Sequence, residues 1–107
     1  MVRLPPEVVR MLALRVDYNH REVLDDGSQA AVVLFGVGGN PSALERKMET
    51  GLRVILYDLD DRYEGVLRPG ADHPWVADLI PETHSELTPG EFERLRVETL
   101  RAAEQAD

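Results

Sequence analysis

Hydrophobic and polar positions along this chain follow two different periods. Leu14, Val16 and Tyr18 alternate with Arg15, Asp17 and Asn19, the period-two pattern of a half-buried β-strand. Leu24-Asp25-Asp26-Gly27-Ser28 supplies an Asp-Gly turn, and Ala30 to Val37 reads as a second, more uniformly apolar strand. That pair is expected as a hairpin. Leu52 to Asp58 is a third strand. Asp58-Leu59-Asp60-Asp61 turns it into a fourth at Arg62 to Leu67, and Arg68-Pro69-Gly70-Ala71-Asp72 breaks that one. A fifth runs from Trp75 to Ile80, where Pro81 is expected to stop it. Connections among strands three to five are too short for parallel crossovers, which predicts an antiparallel meander.

Beyond Leu87 the period lengthens to that of a helix. Thr88-Pro89-Gly90-Glu91 places threonine at the N-cap, proline at N1 and glutamate at N3, the pattern of a capping box. Leu87 and Phe92 take the two positions of a hydrophobic staple. Phe92, Leu95, Thr99, Leu100 and Ala103 share one side, with Glu91, Arg94, Glu98 and Arg101 mainly on the other. A helix with one buried face is predicted from Pro89 to Glu104. Ser42 and Glu45 repeat the capping-box pattern and Gly51 stands as a C-terminal stop, so a short helix is expected from Ala43 to Thr50. For Pro5 to Leu12, a proline-started helical turn and a lead-in to the first strand remain alternatives.

These elements define an α+β fold in a single domain over residues 1–107. It comprises a five-stranded, mainly antiparallel curved sheet, a short helix between strands two and three, and a C-terminal helix over one face or mouth. Closed on itself, such a sheet would be a small SH3-like barrel. A flat sheet with both helices on one side is the alternative.

Composition narrows the function classes. A 12.0 kDa chain that is 43% hydrophobic and 30% charged belongs to the globular class. Surface scaling gives it a folded area of roughly 6,000 Å² against roughly 17,000 Å² unfolded, enough burial for a core. Cysteine is absent, which excludes disulfides, thiolate catalysis and cysteine-ligated metals. Met1-Val2-Arg3-Leu4-Pro5-Pro6-Glu7 carries no apolar signal region, and no apolar run has membrane-spanning length. A cytoplasmic protein without a membrane partner is the expectation.

The net charge is −8, unevenly placed. Residues 1–50 hold six basic and seven acidic groups, whereas residues 51–107 hold six basic and thirteen acidic ones. A second half at −7 repels a phosphate backbone, so nucleic acid is not an expected partner. Besides favouring solubility, the acidity provides a face for a basic partner protein. Eleven of the twelve basic residues are arginine; the pattern identifies no chemistry.

Candidate sites are few. Gly36, Gly38, Gly39, Asn40 and Ser42 lie between a strand and a helix start, the layout that presents backbone N–H groups to an anion. Asp58 follows about twenty residues later, where a ribose-binding carboxylate would stand. However, a G-x-G-x-x-G spacing would need glycine at Pro41, and the Walker lysine is missing. Asp58-Leu59-Asp60-Asp61 fails as a calcium loop at Arg62, Tyr63 and Pro69. His20, His73 and His84 have acids nearby but no diagnostic spacing; His73 and His84 are the acid–base candidates. Trp75, the only tryptophan, is either a core plug or an interface anchor, and Tyr57, Tyr63, His73 and Trp75 are the candidate interface set.

No cofactor, metal or catalytic set is assigned from these residues. A non-catalytic protein-interaction module of the inhibitor, adaptor or immunity type is the leading expectation, with homodimerisation through a sheet edge. The alternative is a small-ligand or phosphate-binding protein, or a minor enzyme, using loop 36–42 or the His73/His84 region.

Overall fold

A computed structural model describes residues 11–23, 27 and 29–105. Its strands are β1 (Ala13–Arg15), β2 (Arg21–Val23), β3 (Gln29–Val32), β4 (Arg53–Tyr57), β5 (Asp61–Arg68) and β6 (Val76–Glu86). A 3-10 helix spans Ser42–Lys47, and α1 spans Pro89–Glu104. The sheet runs β1-β4-β5-β6-β3-β2, with β1 parallel to β4 and every other pairing antiparallel. The fold is α+β: a curled mixed sheet forming a half-barrel, with a C-terminal helix. Among the described residues its two end strands, β1 and β2, do not pair, so the sheet stays open.

Six strands replace the five predicted, and the reason lies after Arg15. The Asp17 carboxylate accepts the Asn19 N–H at 2.9 Å, and the His20 N–H reaches the Asp17 carbonyl at 2.8 Å. This Asx turn ends β1 early and starts β2. It is β2, not β1, that forms the hairpin with β3, pairing Arg21 with Ala31 and Val23 with Gln29. The Asp-Gly turn lies mostly outside the described residues, as does nearly all of Pro5 to Leu12. Freed from that hairpin, β1 pairs with β4 through Ala13–Ile55 and Arg15–Tyr57. The predicted second strand also ends at Val32 instead of Val37, because the chain leaves the sheet for a tight glycine loop.

The meander of β4, β5 and β6 forms as its short turns require. Pro81 does not stop the last strand, which continues to Glu86. Between the Glu64–Ile80 and Arg62–Ser85 pairs, Tyr63 alone stands opposite Pro81 to His84. The Thr83 hydroxyl bridges this bulge, accepting from Glu64 N–H at 2.7 Å and donating to the Ile80 carbonyl at 2.6 Å. A side chain thus replaces backbone partners at the place where proline has none to give. On β5, Gly65 packs so closely that a Cβ would come within 2.7 Å of Leu56 Cδ1 and 2.9 Å of the Asp78 carbonyl. The close approach of neighbouring strands there requires glycine.

Burial follows the strand period. Leu14, Val16, Val54, Leu56 and Leu67 point into the half-barrel, where Leu44 and Met48 from the 3-10 region join them. The opposite faces of β1 and β4 give Ala13 and Tyr57, packed with Leu95 beneath α1. Strand β4 therefore buries both faces, matching its continuous apolar run. The expected short helix forms as a 3-10 piece over Ser42–Lys47 with Pro41 at its N-cap and no side-chain cap, so Ser42 and Glu45 form no capping box. Helix α1 has the predicted bounds and both halves of its capping box. Leu95 and Thr99 are buried, but Leu100, expected on the apolar face, is 43% exposed.

Thr99 joins helix to sheet. Its hydroxyl donates to the Ala13 carbonyl on β1 at 2.7 Å and lies 3.0 Å from the Tyr57 hydroxyl. With Thr99 donating to Ala13, the Tyr57 hydroxyl donates to Thr99, and three buried polar groups are satisfied together. Thr99→Val removes this link while keeping the shape. It is expected to cost about 1–3 kcal/mol in urea unfolding, the usual penalty for orphaned buried groups. A loss near zero would contradict the network.

Candidate functional site

The glycine segment is held by one buried side chain. Asn40 is 2% exposed, and its carboxamide oxygen accepts the Arg15 N–H at 2.7 Å. Its Nδ2 donates to the Arg15 carbonyl at 2.9 Å and to the Leu34 carbonyl at 3.0 Å. An amide side chain offers the donor and acceptor of a peptide unit, so Asn40 acts as a one-residue strand along the outer edge of β1. The loop closes through Gly36 N–H to the Asn40 carbonyl and Asn40 N–H to the Leu34 carbonyl, both 2.8 Å. Gly36 and Gly38 adopt positive φ, and a Cβ on Gly39 would meet the Leu34 carbonyl at 2.5 Å. The glycines thus meet a backbone requirement of the turn.

This anchoring creates a groove of about 580 Å³ at one end of the half-barrel. Val16, Val32 and Leu34 supply its apolar lining, and Gly38 and Gly39 line it from the loop. Asp17 and Asp58 add carboxylates. Each has one oxygen bonded to a nearby amide, Asn19 and Leu59 respectively. Neither forms an ion pair among the described residues. Arg15 also lines the groove, but its guanidinium lies 5.3 Å over the Phe92 ring. Beside the groove Val37 is fully exposed and Leu34 is 41% exposed. Nearby, Tyr18 donates to the Leu56 carbonyl at 2.8 Å. Burial pushes its hydroxyl pKa up, and the Asp58 and Asp61 charges push the same way.

His84 lies apart from His20 and His73. At one end of the β5–β6 ribbon, His73 Nδ1 is 3.0 Å from the buried Glu22 carboxylate. The same carboxylate accepts the N–H groups of Ala71, Asp72 and His73. Glu22 therefore ties β2 to the β5–β6 loop through a nest of backbone donors. The Ala71 amide first, then the His73 ring, hold its carboxyl at about 2, against an ordinary 4.5. His20 packs edge-on to His73 with ring centres 5.2 Å apart. At the ribbon's other end His84 Nε2 is 2.7 Å from Asp61, and the His84 ring lies 4.8 Å from Tyr63. His73 and His84 thus belong to two separate carboxylate–imidazole pairs. No group of three or more His, Asp or Glu side chains among the described residues is arranged to hold a metal ion.

The candidate interface set is also divided. Tyr57 is 1% exposed and lies beneath α1, so it is core. Trp75 is half-buried against the interior cluster, whereas Tyr63 stacks edge-on against Tyr18 at 5.4 Å. Ser42 begins the 3-10 helix, apart from the groove lining. Asp17, Glu22 and Thr99 carry structural or groove roles that sequence reasoning did not single out. Only Asp17 left a local signal, its Asx-turn spacing to Asn19.

No protein-family model, curated protein or solved structure matches this chain. Among the described residues, no helix is long and apolar enough to cross a membrane.

Two consequences can be measured. Asn40→Ala orphans the Arg15 backbone pair and is expected to destabilise by about 2–4 kcal/mol, whereas Ser42→Ala should stay within about 0.5 kcal/mol. Equal effects in denaturant unfolding would contradict the assignment. Glu22 has a lowered folded-state pKa, so its contribution is present at neutral pH and is lost as pH falls from about 4.5 through about 2. The gap in urea midpoint between wild type and Glu22→Gln should therefore narrow on acidification from pH 7 to about pH 2. A gap independent of pH would refute the link.

Proposed function

We propose that this chain is a non-catalytic interaction module whose acidic end docks a basic partner protein. The observation that supports this most is the charge left uncompensated there. Asp17 and Asp58 border one groove, Asp60 follows in the same turn as Asp58, and none of the three forms an ion pair among the described residues. Some other acids are matched, as in Arg53–Glu64 at 2.6 Å and Arg68–Asp78 at 2.9 Å, and Asp61 in the same turn as Asp58 pairs with His84. Unmatched charge of one sign steers association with a partner of the other.

The same carboxylates oppose an anion in the glycine-loop groove, which weighs against the phosphate-binding alternative. A homodimer through the sheet edge has less support than a basic partner. Asn40 and Thr99 occupy outward groups of β1, one of the two end strands. Two copies would also bring like charge together.

Calorimetric titration with matched basic and acidic peptides at 25 and 250 mM salt tests the reading. Basic peptides are expected to bind and to weaken at least severalfold at the higher salt, with no binding of the acidic set. Absence of binding by every basic peptide at low salt would overturn it.

A further inference from the structure

The partner's chemistry can be narrowed from the groove itself, a step that rests on the acidic-module reading above. We infer that the groove between the end of β1 and the glycine loop receives an arginine side chain flanked by apolar residues of a partner protein. A volume of about 580 Å³ is within the ~300–1,000 Å³ of clefts that hold small groups. Among the apolar lining residues Val16 and Val32 are buried, and Leu34, 41% exposed, presents the surface that suits the methylene stem of a long cation. Two carboxylates on different turns, Asp17 and Asp58, border the groove. Each already has one oxygen fixed by a backbone amide, and the other has no described partner. A planar guanidinium with five N–H donors can bridge two separate acceptors, whereas an ammonium is a compact point charge.

The chain's own arginine at this place does not compete. The Arg15 guanidinium is directed at Phe92 on the other face of β1, which leaves Asp17 and Asp58 beside the His20 imidazole as the ionisable side chains facing the groove. From Leu34 in the lining, Val37 extends the apolar surface beyond the cleft, fully exposed at the tip of a loop held from beneath by Asn40. An exposed aliphatic on a rigid, glycine-shaped turn has no partner within the described fold. It suits the residue next to a docked arginine. Charge complementarity thus selects the cation, and the neighbouring aliphatic pair selects what flanks it.

The probe is a capped pentapeptide carrying one arginine between valine and leucine, with counterparts holding lysine or neutral citrulline. Titration into the full chain is followed by amide chemical shifts. The arginine peptide is expected to shift Asp17, Gly38, Gly39 and Asp58, with the citrulline peptide at least tenfold weaker. The double variant Asp17→Asn, Asp58→Asn should also weaken binding at least tenfold; asparagine retains the oxygen that accepts the Asn19 and Leu59 amides, so the turns persist. Val37→Ser, at a fully exposed position, should weaken it severalfold without touching the fold.

Unchanged affinity in the double variant, or shifts confined to residues away from the groove lining, such as those of α1, would overturn the groove assignment while leaving a basic partner in place. Groove amides that move on dilution without peptide would assign the groove to a second copy and overturn it as well. Failure of every basic peptide would remove the broader reading along with it.

Discussion

The outward backbone of β1 is the constraint around which this molecule is arranged. A three-residue strand at the margin of a sheet exposes peptide groups that must find water or a partner. Here they find side chains from two distant parts of the chain. Asn40 takes both the N–H and the carbonyl of Arg15, and Thr99 takes the carbonyl of Ala13. Among the described residues the strand pairs only with β4, in parallel, and no hairpin holds it. Its two edge clasps therefore connect the glycine loop, the sheet and α1 into one unit.

The groove is a by-product of the first clasp. Because Asn40 is anchored to Arg15, the loop carrying Gly38 and Gly39 lies against the end of β1, where the chain turns through Asp17. Asp58 arrives from β4, the strand that β1 pairs with. Packing and charge are thereby coupled: the same hydrogen bonds that close an edge bring two carboxylates to one cleft. Arg15 completes the arrangement by leaving it, its guanidinium drawn over Phe92 on the helix side. A second anchor, Glu22 in its nest of amides, fixes the opposite margin of the sheet to the β5–β6 loop.

What could be read from the sequence was local. Helix α1 was legible to the residue, since its cap, staple and period all lie within one stretch of chain. The β4–β5–β6 meander was legible for the same reason, its turns being short and polar. Non-local pairing was not. Nothing in Leu14-Arg15-Val16 marks a parallel partner some forty residues away, and the Asx turn at Asp17 was passed over as part of a strand. Pro81 misled because a threonine two residues later supplies the missing ladder contact. At the site, the glycine loop was found by composition. The role of Asn40 lay hidden, because a buried amide and a ligand-binding amide look alike in sequence.

Native-state hydrogen exchange at the Arg15 amide tests the edge clasp most directly. The bond to Asn40 should slow this amide to the rate of the interior-facing Leu14 and Val16 amides, which report opening of the β1–β4 pair. Exchange at the rate of an open strand edge, with Leu14 and Val16 still protected, would contradict the clasp and the groove that depends on it.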